Sequence, residues 1–349
     1  PRGIIISRSH YPPMSAFDFF GTTPPAPEVP PTQHYTALPK LHNTTIWLDT
    51  NITATAEAAE TYLQLHCEAP PLAQWTLAAL TAIFKAETCS RLRTIEDHPL
   101  EDAADNDGNS STDRSRCWLP MQLAGESFAC PTQAERSGRS TRWAPPPAVS
   151  AALDEASATS SLPLPAVAPT CSYWLWTGGF RPTTPSTLGD LTSLRYGRAA
   201  CPYLSVQVEG TADEASRARG LDVLAVAGAT ALYNAWRLFK KLQQGPTDVD
   251  EEGNDDAREA WKSLKHFGVL LAGASWEFWV LEPSLDGVRW AGCQMNKVAG
   301  GASDRKGELG ALFEWVNEIQ RWGNTKFAQA CVAVITDIVE RRRKDCGIR

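Results

Sequence analysis

The sequence predicts a mixed α/β fold, in which a central mixed β-sheet is flanked by helices and preceded by an N-terminal helical segment. The chain has 349 residues, of which 43% are hydrophobic, so it is long enough to bury a substantial core. Beyond residue 170, short aromatic and β-branched runs alternate with amphipathic helical stretches, which is typical of a layered α/β domain. Before residue 170, long stretches rich in Pro, Ser and Asp indicate segments that contribute little to a core.

Two parts of the first half have a composition that predicts irregular structure. Residues 1–45 carry many prolines and little apolar periodicity, so we expect an extended leader rather than a packed element, either mobile or docked on the folded domain. Residues 97–170 are dominated by Asp, Ser, Pro and Ala, which predicts a low-complexity linker. A few apolar residues of this linker, such as Trp118 and Leu119, are candidates for docking on the folded domain.

A helical hairpin is predicted between these two parts, over residues 46–96. This stretch is rich in Ala and Leu, and the adjacent Pro70 and Pro71 interrupt it. Because proline ends one helix and is tolerated at the start of the next, we expect two helices, over about 54–67 and 72–92.

The α/β domain is predicted over residues 171–325. Its first strands are expected at 172–176 and 203–208, because both runs are rich in aromatic and aliphatic residues. A long helix is expected over 213–243, where apolar residues recur every three or four positions. Gly228 lies within that apolar stripe, so we expect the helix to approach the sheet closely.

The rest of the chain is predicted to contain three strands followed by two helices. Gly273 marks a tight turn between the first two strands, and the run as a whole predicts an antiparallel meander. Trp276 and Trp279 are three positions apart in a strand, so we expect them to face opposite sides of a sheet covered on both faces. The predicted strands are 267–274, 276–281 and about 290–298, and the predicted helices are about 306–322 and 327–343, the second within a C-terminal segment, 326–349.

Composition and motifs exclude several classes of protein. The formal net charge of −7 argues against a protein that coats nucleic acid through bulk charge. The nine cysteines include no Cys-x-x-Cys pair and no Cys/His cluster of zinc type, so no structural zinc site is expected. The sequence has no GxxxxGK[ST], HExxH or GxSxG motif, so P-loop NTPases, zinc proteases and α/β-hydrolases are not expected.

Cysteine usage and hydropathy give expectations about location. Scattered cysteines suit a reducing compartment, so we expect an intracellular protein, cytoplasmic or nuclear. Asn43, Asn51 and Asn109 each begin an N-glycosylation triplet, which makes secretion the alternative. No run of about eighteen apolar residues is present, so no membrane-spanning segment and no membrane partner are expected.

Several stretches of the second half carry a family resemblance. They are CPYLSVQVEG, an Ala-rich helix ending ATALYNAWRL, HFGVLLAGASWEFWVLEP, WAGCQMNKV and LFEWVNEIQRWG. In these stretches, and in the order strand, helix, strand, strand, the chain resembles an uncharacterised family of fungal proteins. The C-terminal domain of that family is similar to the PD-(D/E)XK nuclease superfamily, and the resemblance covers about residues 171–325.

The resemblance implies a candidate catalytic and metal site. In the superfamily, an Asp at a strand end and a Glu-x-Lys on the next strand hold a divalent metal and orient the attacking water. The corresponding residues here are Asp190, Gln207 and Glu209, of which Asp190 and Glu209 are the implied ligands of Mg²⁺. Residues two apart in a strand share a face, so Gln207 and Glu209 could reach one ion.

The chain departs from the superfamily pattern at two of its three positions. Gln207 replaces an acid, and a neutral amide supplies no charge to a metal. Glu209 replaces a lysine, and a carboxylate does not stabilise a phosphoryl oxyanion. The departure favours a site that has lost catalysis, and an ordinary half-buried strand with one polar face is the plain structural alternative.

Four arginines flank the candidate strand and the start of the long helix. They are candidates for contacts with nucleic-acid phosphates: Arg195, Arg198, Arg217 and Arg219. Glu209, Asp213 and Glu214 share this neighbourhood, so the alternative is that the arginines form ion pairs with them.

These observations lead to three hypotheses about function. We expect a degenerate nuclease-like domain that acts as a binding pseudoenzyme for nucleic acid or for a protein partner. The first alternative is a non-enzymatic interaction protein or effector, secreted or intracellular, whose Pro-rich segments bind partners. The second alternative is an active Mg²⁺-dependent nuclease, a phosphodiesterase with a variant Asp, Gln-x-Glu site.

Overall fold

The computed structural model describes residues 4–10, 12, 14–26, 28–38, 41, 44–87, 120–125, 128, 167–176, 191–192, 199–243, 264–286 and 289–345. These residues form one mixed sheet of seven strands, and helices pack on both of its faces. The predicted α/β class, with a central mixed sheet flanked by helices, is confirmed.

The strands of the sheet lie in the order β1-β7-β6-β5-β4-β3-β2. They are β1 (Ile4–His10), β2 (Pro120–Ala124), β3 (Cys171–Trp176), β4 (Ala199–Glu209), β5 (His266–Ala272), β6 (Ser275–Asp286) and β7 (Arg289–Ala302). Strand β1 is parallel to β7 and β4 is parallel to β5, whereas the other neighbouring pairs are antiparallel. Strands β5 to β7 therefore form the antiparallel meander that the sequence predicts.

The helices within the described ranges fall into an N-terminal group and a C-terminal group. They are α1 (Ala16–Phe20), α2 (Pro31–Thr36), α3 (Ile52–Glu68), α4 (Leu72–Ala78), α5 (Glu214–Gln243), α6 (Lys306–Trp322) and α7 (Ala328–Asp345). A π-helical turn follows α4 at Ala79–Ile83, and another joins α6 to α7 at Gly323–Phe327. None of these described helices combines the length and hydrophobicity that crossing a bilayer requires.

The described part of residues 1–45 is docked on the domain, which is one of the two expected alternatives, but it forms a strand and two helices instead of an extended chain. Ile4 of β1 pairs with Cys293 of β7, so the leader adds an edge strand to the sheet. Phe20 of α1 lies against Phe267 of β5, with ring centroids 5.5 Å apart. The segment packs because its apolar residues, which lie between the prolines in the sequence, are buried against the domain. The free energy gained by burying aromatic surface outweighs the tendency of the prolines to keep the segment extended.

The predicted linker and hairpin also differ from the structure in part. Strand β2 lies inside the predicted linker and pairs with β3, whereas Trp118 and Leu119 lie outside the described residues. The hairpin is present as α3 and α4, but the second helix and its π-turn end at Ile83 instead of residue 92. The helix ends there, and the carbonyl oxygens of the next two residues, Phe84 and Lys85, accept hydrogen bonds from side chains of the sheet. The donors are Gln122 and Tyr173.

Helix α5 covers one face of the sheet and connects the parallel strands β4 and β5. A Cβ at Gly228 would lie 2.7 Å from a methyl group of Leu281 and 3.0 Å from the ring of His266, so the helix backbone approaches the side chains of the sheet closely at this glycine. The predicted close approach at Gly228 is confirmed.

The opposite face is covered by α4 and α6, with α1 and α3 packed on α6. Trp276 contacts Phe278 on this face, and Phe278 lies 5.4 Å from the ring of Trp315 in α6. Trp279 instead donates its indole N–H to Glu277, which faces α5. The expectation that Trp276 and Trp279 face opposite sides is confirmed.

Candidate functional site

Gln207 and Glu209 lie at the C-terminal end of β4, on the face that α5 covers. A Cβ placed on Gly220 of α5 would lie 3.5 Å from Cγ of Gln207 and 3.3 Å from Cγ of Glu209. Both side chains therefore project toward the start of that helix, as the alternation of a strand requires. The structure brings these two predicted site residues together.

The amide of Gln207 is bonded on both sides. Its Nε2 donates to Oε1 of Glu209 at 3.1 Å, and its Oε1 accepts from the backbone N–H of Thr170 at 3.2 Å. Thr170 also uses its hydroxyl to accept from the N–H of Val208 at 3.0 Å. The carbonyl oxygen that would have to ligate a metal is thus turned toward the β3 side of the sheet.

The second oxygen of Glu209 faces Arg219, which begins the second turn of α5. The Nη2 atom of Arg219 lies 3.5 Å from Oε2 of Glu209 and 2.9 Å from Oγ of Ser216. The Arg219 side chain is 64% exposed, whereas that of Glu209 is 12% exposed. The carboxylate is therefore nearly enclosed and has its charge partner on the solvent side.

Asp213 caps the start of α5 next to this pair. Its carboxylate accepts from the hydroxyl of Thr211 and, at 2.9 and 2.8 Å, from the backbone N–H and hydroxyl of Ser216. These hydrogen bonds, first that of Thr211, hold the pKa of Asp213 far below its ordinary value. The role of Asp213 is that of a helix cap, which keeps the first turn of α5 over the end of β4.

A second carboxylate, which the sequence reasoning missed, lies on the same face of the sheet. Glu277 of β6 accepts from Nε and Nη2 of Arg217 at 2.9 and 3.2 Å and from Nζ of Lys297 at 2.8 Å. The indole N–H of Trp279 donates to the same carboxylate at 3.1 Å. Burial raises the pKa of Glu277, but the hydrogen bonds from Arg217 and Lys297 outweigh burial, so its pKa lies below the ordinary value of 4.5.

Strand register relates Glu277 to the β4 residues. Gln207 is opposite Leu270 on β5, and Leu270 is opposite Glu277 on β6. Residues opposite one another share a face, so Gln207 and Glu277 lie two strand spacings apart, about 10 Å. A charged residue between Trp276 and Phe278 in a predicted strand was the signal available in the sequence. We call Gln207, Glu209, Arg217, Arg219, Glu277 and Lys297 the sheet cluster.

The remaining predicted site residues are placed as follows. Asp190, Arg195 and Arg198 lie outside the described residues. Arg217 and Arg219 form ion pairs with Glu277 and Glu209, which is the alternative that the sequence left open for them.

The described part of the cluster does not fit a Mg²⁺ site. Gln207 directs its carbonyl oxygen to a backbone N–H, and both oxygens of Glu209 have donors within the cluster. Among the residues that the structure describes, no three His, Cys, Asp or Glu side chains are grouped closely enough to hold a metal ion. The arrangement is a set of mutually satisfied polar side chains.

Comparison with known proteins found no match to this chain among family models, curated proteins or solved structures. The resemblance to the PD-(D/E)XK superfamily therefore stays a prediction from the sequence.

Proposed function

We propose that the chain is a non-catalytic binding protein, a pseudoenzyme in which a nuclease-like sheet serves as the scaffold for partner recognition. The observation that supports this most is the bond between Gln207 and Glu209, at the two positions where the superfamily pattern has its Glu-x-Lys. Their polar heads bind each other, a backbone N–H and Arg219, and so stabilise the end of β4.

A Mg²⁺ ion would compete with these bonds for the same oxygen atoms. It demands near-ideal octahedral oxygen geometry, whereas Thr170 and Glu209 already fix the orientation of the Gln207 amide, which carries no charge. The other members of the sheet cluster supply no further metal ligand. Arg217, Arg219 and Lys297 carry only nitrogen donors, and Glu277 already accepts hydrogen bonds from two of them. The chemistry of the cluster favours binding without catalysis.

A protein partner is favoured over nucleic acid. Arg217 makes a two-pronged bond to Glu277, and Arg219 divides its guanidinium between Glu209 and Ser216. Cations that are already paired gain less from a phosphate, because the existing ion pair must first be given up. The formal net charge of −7 adds long-range repulsion of a polyanion.

A cleavage assay tests the loss of catalysis. Plasmid DNA, single-stranded DNA and RNA are incubated with the full chain in Mg²⁺ or Mn²⁺, beside Glu209→Ala and the exposed control Glu340→Ala on α7. We expect no metal-dependent cleavage by any of the three proteins. Cleavage by the wild type and by the control, lost in Glu209→Ala, would overturn the proposal and establish a working nuclease.

Fluorescence anisotropy with labelled single- and double-stranded DNA at low salt tests the choice of partner. We expect no binding that weakens with added salt, since paired arginines release few counterions. Salt-dependent binding that falls in Arg219→Met would show that nucleic acid is the partner.

A further inference from the structure

The described residues enclose a cleft between the leader and α6, on the opposite face from the sheet cluster. Its volume is about 320 Å³, which lies in the range of small-ligand sites. Phe17, Tyr35 and several prolines of the leader form its apolar walls, and residues 49–51 and α6 form the rest. We call this cavity the leader cleft.

The walls of the leader cleft are held in place by buried hydrogen bonds. Glu318 of α6 accepts from the hydroxyls of Tyr35 and Thr22, both at 2.7 Å, and from Nε of Arg321 at 2.9 Å. Asn317 binds the backbone N–H and carbonyl of Leu48 at 2.9 and 2.8 Å. The cleft is therefore a built feature of the fold, in which α6 anchors both segments that face it.

Three carboxylates line the cleft, and no Lys, Arg or His is among its described lining residues. They are Glu28 of the leader, Asp49 before α3 and Glu314 of α6. Asp49 accepts hydrogen bonds from the backbone and side chain of Asn51. Glu314 is half-buried and has no hydrogen bond or ion pair to any residue that the structure describes.

Among the described residues, none compensates the charge of Glu314. Burial, and then the neighbouring Glu318 one turn later in α6, raise the pKa of Glu314 above its ordinary value. Glu318 itself is paired with Arg321 at 2.7 Å, so that arginine is committed. A cation entering the leader cleft would meet a carboxylate that no described residue pairs with, and would relieve this cost.

The lining of the cleft favours an organic cation over a metal ion. In the described part of the chain, no three acidic side chains come close enough to share one metal ion. Proline and aromatic walls suit an alkyl stem.

We propose that the leader cleft binds an organic cation of the alkylammonium or guanidinium class, with its charged head at Glu314 and its apolar stem along the prolines of the leader. Such a group is carried by a Lys- or Arg-rich protein segment or by a free polyamine. The leader cleft shares no residue with the sheet cluster, so a test of this proposal does not depend on the outcome of the tests of the proposed function.

Calorimetry on the full chain tests this proposal. The probes are acetylated tetralysine and tetraarginine peptides, spermidine, and acetylated tetraglutamine as the uncharged reference. We expect at least one cationic probe to bind and tetraglutamine to give no heat. Glu314→Gln, which keeps the shape and removes the charge, should weaken the affinity about tenfold, and Glu28→Gln about threefold.

The control is Glu340→Gln, which removes the same charge from an exposed position on α7 and should bind as the wild type does. Binding by the peptides alone would identify a basic protein segment as the source, and binding by spermidine alone a polyamine. The proposal is overturned if no cationic probe binds, or if Glu314→Gln and Glu340→Gln weaken binding equally. Because Glu28 is exposed, its variant tests the cleft even if Glu314→Gln folds poorly.

Discussion

Glu277 and Glu314 are both half-buried glutamates, yet they have opposite surroundings. Glu277 in the sheet cluster accepts four hydrogen bonds from Arg217, Lys297 and Trp279, and its pKa is lowered. Glu314 in the leader cleft has no partner among the described residues, and its pKa is raised. A saturated carboxylate is part of the structure, whereas an unpaired one at a cavity is available to a ligand. The saturated carboxylate lies on the same face of the sheet as Gln207 and Glu209, which the sequence predicts as part of a catalytic site.

The largest expected effect is the removal of the saturated carboxylate. Glu277→Ala leaves Lys297 and Trp279 without their acceptor, so we expect the free energy of unfolding to fall by about 3 kcal/mol. The control is Glu282→Ala on the same strand, where one ion pair to Lys265 is lost and about 0.5 kcal/mol is expected. Denaturant unfolding measures both, and equal losses would contradict the comparison.

The pH dependence of that loss sharpens the comparison. Because the folded pKa of Glu277 is below its ordinary value of 4.5, its contribution is present above that pH and is lost as the pH falls through the folded pKa. Wild type and Glu277→Ala should therefore converge in stability toward acid. If the difference in unfolding free energy between wild type and Glu277→Ala stayed constant from pH 7 to pH 3, the charge of Glu277 would not be the source of its stabilising effect.

Removing either of the two arginines of α5 should lower the free energy of unfolding by less than removing Glu277. The loss should be larger for Arg217, which binds Glu277, than for Arg219, which binds Glu209. Arg217→Met removes a two-pronged bond to Glu277, and we expect a loss of about 1 kcal/mol in unfolding free energy. Arg219→Met removes a long contact from an exposed side chain, and we expect at most about 0.5 kcal/mol. The reverse order would show that Glu209, not Glu277, is the better-compensated acid.

The smallest expected effect has the opposite sign. Glu314→Gln removes a charge that has no partner among the described residues and lies one turn from Glu318, so stability should rise by about 0.3 kcal/mol. The folded pKa of Glu314 is raised, so this gain should appear as the pH rises from 4.5 through the raised pKa and be absent in more acidic solution. Thermal unfolding across this range checks it, and a clear loss of stability would mean that Glu314 has a structural partner.

Much of the fold could be predicted because it follows from local patterns. The period of apolar residues gave α5 and α6, and Gly228 in the α5 stripe indicated close packing on the sheet. The role of β1 was not predictable in this way. Its partner β7 lies more than 280 residues later, and only tertiary pairing turns a short apolar run among prolines into a strand.

The candidate sites were predictable only in part, for a similar reason. The two-residue spacing of Gln207 and Glu209 correctly placed both on one face, but their mutual bond depends on rotamers that no spacing gives. The leader cleft unites Glu28, Asp49 and Glu314 from three distant segments. No local pattern joins these residues, because the cleft exists only once the leader has docked on α6.

The most direct test of the central claim is Mn²⁺ binding at the β4 positions, followed by electron paramagnetic resonance of the free ion. Wild type and Glu209→Gln are titrated at neutral pH and low salt, with Glu340→Gln as the exposed control. If Gln207 and Glu209 are committed to their bonds within the sheet cluster, the three proteins will deplete free Mn²⁺ equally and weakly. Stoichiometric binding by the wild type and the control that disappears in Glu209→Gln would contradict the account and restore the metal site.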